Sequence, residues 1–308
     1  MSKIQGSREQ ACLPVGRGSG KRDSIQLTTV NRQPSLPVAI QGYEGSFHQV
    51  AARSFYGKDV QILACATFTD VIKEASNKKS TMGGIMAIEN SIAGSILPNY
   101  NLLQKSNLYV AGEVYLQIDQ HLMVNPGVKL ADIKEVHSHP MALLQCTGYL
   151  NPRGWRLIET EDTALSAKHV HQRKSKHIAA IAGSLAAELF GLKIIAPNIH
   201  DVKNNYTRFL ILQQKASVVE GANKASINFH TDHAKGRLAE VLSVIANEGI
   251  NLSKLQSFPL AGSQFKYGFH ADLEFDQLEQ YNKVMDELKK RTQSLRVLGV
   301  YKKGKFNK

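Results

Sequence analysis

Short apolar runs alternate with helical periodicities along residues 37–213, and that alternation predicts an α/β architecture. Residues 38–40 read as a short buried strand. A turn at Gly42-Tyr43-Glu44-Gly45 follows, then a helix over 46–55 that Ser46 caps. The pattern predicts further strands at 60–64, 83–88, 157–159 and 177–181, and one long strand-like stretch at 108–124. Helices are predicted at 69–76, 140–149, 162–171 and 184–190, the last stopped by Gly191 in a left-handed conformation. Such alternation implies a parallel or mixed sheet with helices on both faces. Ligands of these sheets lie beyond the carboxyl ends of strands, beside helix N-termini. Three junctions satisfy that rule: residues 42–47, 89–94 and 205–209. They are remote in sequence, so a single cleft must bring them together.

The pattern breaks over the polar segment 215–224, which predicts a linker. Beyond it, residues 226–231 alternate as a strand with Ile227 and Phe229 inward. Leu238, Val241, Leu242 and Ile245 make one face of a helix over 236–247, which Gly249 ends. Strands at 251–260 and 265–275 are expected to form a hairpin around Ala261-Gly262-Ser263. A helix at 276–291 and a strand at 295–301 complete a βαββαβ order, that of the ferredoxin-like plait. The expected domains are therefore 36–214 and 225–303, with 215–224 between them. Residues 1–35 lack sustained periodicity and are expected to be a disordered or tag-like tail. A transit segment is the rival reading, because the stretch carries six Lys/Arg and scattered serine.

Composition narrows this picture only in places. A chain of 308 residues with 43% apolar content can build two cores, and no apolar run reaches the ~18 residues of a membrane span. The net charge of +12 suggests nucleic acid at first sight. However, residues 1–35 hold +4 of it and residues 302–308 another +4, which leaves a mildly basic body. That body has no basic stripe with interleaved aromatics, so a small anionic ligand is expected rather than a polynucleotide. Cys12, Cys65 and Cys146 are widely spaced. They predict neither a disulfide framework nor a zinc site, and the expected location is the reducing cytoplasm.

Four blocks carry chemistry. They are Gly42-Tyr43-Glu44-Gly45-Ser46-Phe47, Ile88-Glu89-Asn90-Ser91-Ile92-Ala93-Gly94, the His139-Pro140 to Gln145-Cys146 segment, and Asn205-Tyr206-Thr207-Arg208-Phe209. In this order and spacing they resemble the GxxGSF, IENSxxG, HPxALxQC and NxTRF motifs of prephenate dehydratases. The same family commonly carries a C-terminal ACT domain, which 225–301 resembles in element order and in Gly236-Arg237-Leu238-Ala239. The resemblance implies a two-lobed dehydratase domain of the type II periplasmic-binding-protein kind, with its active site between the lobes. It also implies a homodimer or homotetramer, no metal and no organic cofactor. The implied activity is that of a carbon–oxygen lyase, turning prephenate into phenylpyruvate for phenylalanine synthesis.

That chemistry needs a donor at the departing hydroxyl, partners for carboxylates and a dry apolar wall. By position in the motif, Thr207 is the catalytic threonine, although a threonine can equally be a strand residue satisfied by backbone. Arg208 is expected to grip a carboxylate with its planar fork, against the alternative of an ordinary ion pair. Phe209 is expected to wall the ring, or else to be plain core. Asn205 orients Thr207 or occupies a turn. Ser46 and Phe47 sit at a helix N-terminus that favours an anion, and an N-cap role is compatible. Asn90 and Ser91 offer neutral donors. Glu89 would repel a dianion unless paired, so it is structural or an orienter. Gln145 and Thr163 belong to the other lobe. His137, His139, His169, His171 and His177 have no carboxylate or cysteine partner at a recognised metal spacing. No GxGxxG or GxxxxGK[ST] occurs, which excludes the usual dinucleotide and P-loop signatures.

The expected effector site takes L-phenylalanine at Gly236, Leu238, Ala239, Asn251, Leu252 and Ser257, as the ACT resemblance implies. One departure stands out. The family's ESRP motif is Gln256-Ser257-Phe258-Pro259 here, so an ion-pairing couple becomes a neutral and an aromatic side chain. Two other functions remain open at this point: an arogenate dehydratase, and a non-catalytic amino-acid sensor.

Overall fold

Residues 36–232, 234–260 and 267–307 are described by the computed structural model of this chain. The amino-terminal 35 residues and the expected turn at Ala261-Gly262-Ser263 lie outside them. The chain enters through β1 (Val38–Gln41), whose Val38, Ala39 and Ile40 are buried on both faces as a central parallel strand requires. Ser46 then caps α1 (Phe47–Tyr56), its Oγ accepting from the Gln49 amide at 3.4 Å. After β2 (Ile62–Cys65), a capping box between Thr67 and Asp70 starts α2 (Phe68–Ala75). The first lobe continues through β3 (Gly83–Asn90), β4 (Gly94–Ser95), α3 (Leu97–Lys105) and β5 (Tyr109–Gln117).

The second lobe runs from β6 (His121–Val124) and β7 (Glu135–Ser138) through α4 (Pro140–Leu144), α5 (Thr147–Leu150) and β8 (Arg156–Glu159). It finishes with α6 (Thr163–Arg173), β9 (Ile178–Ala182), α7 (Ser184–Leu189) and β10 (Lys193–Ala196). The chain then recrosses to lay β11 (Tyr206–Gln213) into the first sheet. Last come β12 (Lys224–His230), α8 (Arg237–Asn247), β13 (Asn251–Pro259), β14 (Tyr267–Glu274), α9 (Leu278–Arg291), β15 (Ser294–Tyr301) and β16 (Phe306–Asn307).

Three sheets result. The first has the order β16-β5-β11-β3-β1-β2, with β4 added to β3; the second is β10-β6-β9-β7-β8, and the third β13-β14-β12-β15. Two crossings join the first two sheets, at residues 118–120 and 197–205. The long apolar stretch 108–124 is therefore two strands in two sheets, because Ile118-Asp119-Gln120 spans the lobes. The expected helix at 140–149 also divides: α4 stops at Gln145, whose carbonyl accepts from the Asp201 amide at 2.8 Å instead of continuing the helix.

Strand β11 lies between β5 and β3, antiparallel to both. Its residues alternate in the period of two. Phe209 and Ile211 join a core with Val38, Ile40, Ala51 and Val114, while Leu210 and Leu212 join one on the opposite face with Met86, Ile88 and Val110. The pairing with β3 slips once. Phe209 faces Ala87 but Arg208 faces Glu89, so Ile88 is an extra residue and makes a β-bulge. Beyond it Thr207 pairs with Asn90. The bulge inverts the phase of β3, placing Asn90 on the face of Phe209 and Glu89 on that of Leu210.

The third sheet packs against this second face. Leu298 and Tyr301 of β15 belong to the same core as Met86, Ile88 and Leu210. Approach is so close that a Cβ on Gly299 would lie 1.9 Å from the Val110 carbonyl oxygen, which leaves glycine alone able to occupy the position. The lysine-rich C-terminal segment returns as β16 beside β5, with the Phe306 ring centroid 4.6 Å from that of Tyr115. No described helix is long and apolar enough to cross a membrane.

Candidate active site

A cavity of about 300 Å³ opens between the first two sheets. Ser46, Phe47, His48, Phe68, Asn90, Thr207 and Phe209 line it from the first lobe, and His139, Gln145, Glu161, Asp162 and Thr163 from the second. The lobes meet across it. The Tyr43 hydroxyl donates to Glu161 Oε1 at 2.6 Å, which raises the pKa of Tyr43 above its ordinary value. At Gly45 (φ +85°) a Cβ would fall 2.9 Å from the Ala186 backbone, so this turn needs glycine both for its conformation and for contact with the other lobe.

Thr207 is held by Asn90. The Asn90 Oδ1 accepts from the amides of Ile92 (3.0 Å) and Ala93 (2.9 Å), and those two donors fix which end of the amide is oxygen. Its Nδ2 therefore donates to Thr207 Oγ1 at 3.0 Å, and also to Asn205 Oδ1 at 2.7 Å and the Tyr206 carbonyl at 3.2 Å. A hydroxyl that accepts from Asn90 keeps its own proton free to donate into the cavity. Asn205 extends the chain to the other lobe, donating from Nδ2 to Gln145 Oε1 at 3.2 Å. Ser91 works beside this chain as a staple: its Oγ donates to the Asn204 carbonyl (3.2 Å) and accepts from the Tyr206 amide (2.9 Å). Asn205 and Ser91 thus support the wall without lining the cavity.

Two further expected site residues, Arg208 and Glu89, are also absent from the cavity wall. Arg208 points to the opposite face because strand neighbours alternate. There its Nε donates to Glu113 at 2.7 Å, its Nη1 to Asp272, and its Nη2 to the Tyr301 hydroxyl at 3.3 Å, with the side chain 4% exposed. Burial would lower its pKa, but Asp272, Tyr301 and Glu113 hold it well above the ordinary value. Glu89 is turned the same way by the bulge and pairs with Lys254.

The cavity also holds His48 and Gln120, which motif reading passed over, beside His139 and Asp162. His48 packs edge-on against Phe209, ring centroids 5.0 Å apart, and burial lowers its pKa to about 4, so it stays neutral near pH 7. Gln120, on the first crossing, is buried, and its Oε1 has no hydrogen-bond partner among the described residues. A polar pair between two apolar strands was the available signal for it. His139 Nδ1 accepts from the Met141 amide at 3.2 Å, which leaves the proton on Nε2. Asp162 caps α6 by accepting from the Leu165 amide at 2.9 Å, and burial raises its pKa. Neither Lys nor Arg is among the described residues of the wall. Cys65 and Cys146 lie outside it, with burial pushing their thiols up to about 11 and about 12.

The third sheet carries a second cavity, of about 650 Å³, between α8 and the β13–β14 pair. Gly236, Leu238, Ala239 and Ser257 line it, with Asp232, Arg237 and Phe269. Asn251 and Leu252 do not. They lie at the start of β13, six and five residues from Ser257 and roughly 15–20 Å away along an extended strand. Phe258, at the altered motif position, is buried with its ring over Gly268.

The family profile described as "PDT: Prephenate dehydratase" matches residues 38–217. The chain belongs to the prephenate dehydratase family. Among curated relatives it is 35% identical to Arogenate dehydratase 2 of Petunia hybrida, covering 94% of this chain and 76% of that one. It is 33% identical to the bifunctional chorismate mutase/prephenate dehydratase of Aquifex aeolicus, over 88% of this chain and 75% of the relative. A solved structure described as "GqqA, a novel type of quorum quenching acylases" superposes with a TM-score of 0.79 at 30% identity, covering 88% of this chain and 99% of that one. The Arthrobacter aurescens prephenate dehydratase in complex with L-Phe shares the fold at a TM-score of 0.77 and 24% identity, over 87% and 90% of the two chains.

Proposed function

We propose that the interlobe cavity binds prephenate and removes carbon dioxide and hydroxide together, giving phenylpyruvate. The ring carboxylate leaves as carbon dioxide, and its electron pair enters the ring. The ring then becomes aromatic as the para hydroxyl departs. Thr207 donates a hydrogen bond to that leaving oxygen, which departs as hydroxide and takes a proton from solvent to become water. The observation that carries this reading is the Asn90–Thr207 hydrogen bond, which reserves the Thr207 proton for the cavity.

The wall suits the other half of the reaction. Phe47, Phe68, Phe209, Ile96 and Ile118 offer apolar surface to the ring. With no lysine or arginine on the described wall, the departing carboxylate has no cation to hold it back. The side-chain carboxylate is assigned to the α1 N-terminus, where first-turn amides at Phe47 and His48 lack a carbonyl one turn earlier. Gln145 and Thr163 close on the substrate from the second lobe, and no metal or organic cofactor is required. Arogenate is the second reading. Its α-ammonium would find Glu161 and Asp162 at the cavity wall.

Residues 36–214 form the two-lobed dehydratase domain of the periplasmic-binding-protein type II kind, 215–224 the linker, and 225–303 an ACT domain. Support for the last is the βαββαβ order with the spatial order β13-β14-β12-β15. Its cavity would take L-phenylalanine, with Arg237 facing the carboxylate and Asp232 the ammonium. Edge strand β13 suits pairing into a homodimer or homotetramer, and the buried free thiols of Cys65 and Cys146 suit the cytoplasm. The test is direct. Purified protein should convert prephenate to phenylpyruvate, followed by ultraviolet absorbance in alkali, with arogenate assayed in parallel. Turnover of neither compound overturns the enzyme reading and leaves that of a sensor.

A further inference from the structure

Two register slips face each other across the interface between the first and third sheets. On β3, the bulge at Ile88 pairs Glu89 with Arg208 on the face remote from the cavity. On β13, Leu252 faces Leu273 but Lys254 faces Asp272, so Ser253 is the extra residue and Lys254 shares a face with Asp272. The two bulged pairs meet. Lys254 Nζ pairs with Glu89 and donates to Ser95 Oγ at 2.7 Å, while Asp272 pairs with Arg208. Without either slip, the lysine and the glutamate would point away from each other. Bulges re-aim side chains, and two serving one contact indicate that the contact has a use.

Its neighbours suggest what the use is. One residue beyond Glu89 and one before Arg208 stand Asn90 and Thr207, themselves register partners and the core of the reaction site. Three residues along β13 and β14 from Lys254 and Asp272 stand Ser257 and Phe269, register partners that line the second cavity. The same two strands thus carry the effector cavity on one face and the charged clamp on the other, roughly 10 Å along the chain.

We infer that Lys254 and Asp272 are positioning residues for dehydration: through Glu89 and Arg208 they pass the state of the β13–β14 pair to Asn90 and Thr207. An aromatic amino acid in the second cavity shifts that pair, and the clamp moves the donor of the reaction site. This rests on the dehydratase reading and on the second cavity taking such a ligand. Lys254 lies near the rim of the interface, so its loss leaves the buried core around Arg208 in place.

The experiment compares the full chain with Lys254→Met, using L-phenylalanine as the probe. Calorimetry measures binding, and prephenate turnover is followed with and without the amino acid. The native chain should change its turnover by about fivefold or more, within the usual range of coupling between sites. Lys254→Met should bind phenylalanine with a similar Kd yet respond by less than about twofold, a loss of coupling rather than of affinity. The charge exchange Glu89→Lys with Lys254→Glu should restore part of the response, which a merely structural role would not do. A Lys254→Met variant that responds like the native chain overturns the inference. So does a native chain that turns over prephenate but neither binds nor answers to phenylalanine, and in that case the dehydratase reading stands. A native chain without turnover removes both.

Discussion

Replacement of Thr207 by alanine should lower kcat by roughly 10²–10³-fold with little change in KM, the usual cost of deleting one donor aimed at developing charge. The reason is geometric. Asn90 Nδ2 donates to Thr207 Oγ1, so this hydroxyl, which lines the cavity, keeps its one proton free to donate there. Serine at the same position keeps the hydroxyl and should retain most of the rate. Asn90→Asp separates orientation from presence: the new oxygen accepts where the amide donated, so Thr207 turns its proton to the carboxylate. That variant should fall nearly as far as Thr207→Ala, and should also melt below the native chain, because the carboxylate faces Asn205 Oδ1 and the Tyr206 carbonyl without a proton to donate. Full turnover by Thr207→Ala would remove Thr207 from the mechanism.

Removal of Asp272 should instead act on stability. Its carboxylate is fully buried, pairs with Arg208, accepts from Ser226 Oγ at 2.5 Å, and lies 3.1 Å from His270 Nε2. Truncating one member of a buried pair leaves an uncompensated charge, and Asp272→Ala is expected to cost about 3–5 kcal/mol in urea unfolding. The pH dependence has a defined sign. Burial alone would push the Asp272 carboxyl up, but Arg208 and His270 hold it well below the usual carboxylate range. The unfolded chain binds this proton near pH ~3.9, so the contribution is complete above that value and drains away as pH falls through the depressed native pKa. Native stability should therefore hold into mild acid and fall steeply below about pH 4. The Asp272→Asn profile should be lower and flatter there. Equal stability of native and variant chains at pH 7 would contradict the assigned pairing.

Local periodicity made much of this architecture legible. The alternation of Phe209, Leu210, Ile211 and Leu212 read as strand because both faces of β11 meet a core. The βαββαβ order of the third sheet followed from helix faces such as Val241 and Ile245. The motif at 205–209 located the right wall, yet it presented five residues as one functional block. A strand divides such a block between its faces, and Arg208 went to the interface. Glu89 needed more than alternation, since only pairing with β11 reveals the extra residue at Ile88. Residues 108–124 gave a continuous apolar signal across two lobes because chain continuity and sheet membership are different things. Gln120 carried no motif at all. What marks it is a buried Oε1 without a hydrogen-bond partner among the described residues, which a sequence does not display.

The bulge on β3 also makes strand length a variable that amino-acid exchange cannot imitate. Loss of the single codon for Ile88 would take only the leading apolar residue of its motif and would restore an even pairing phase. Asn90 would then turn toward the third sheet and Glu89 into the cavity. One deletion would thus exchange a neutral amide for a carboxylate opposite Thr207 and unpair Lys254 at the same stroke. In a mutational scan, this segment should tolerate apolar exchanges at Ile88 far better than any change in its length.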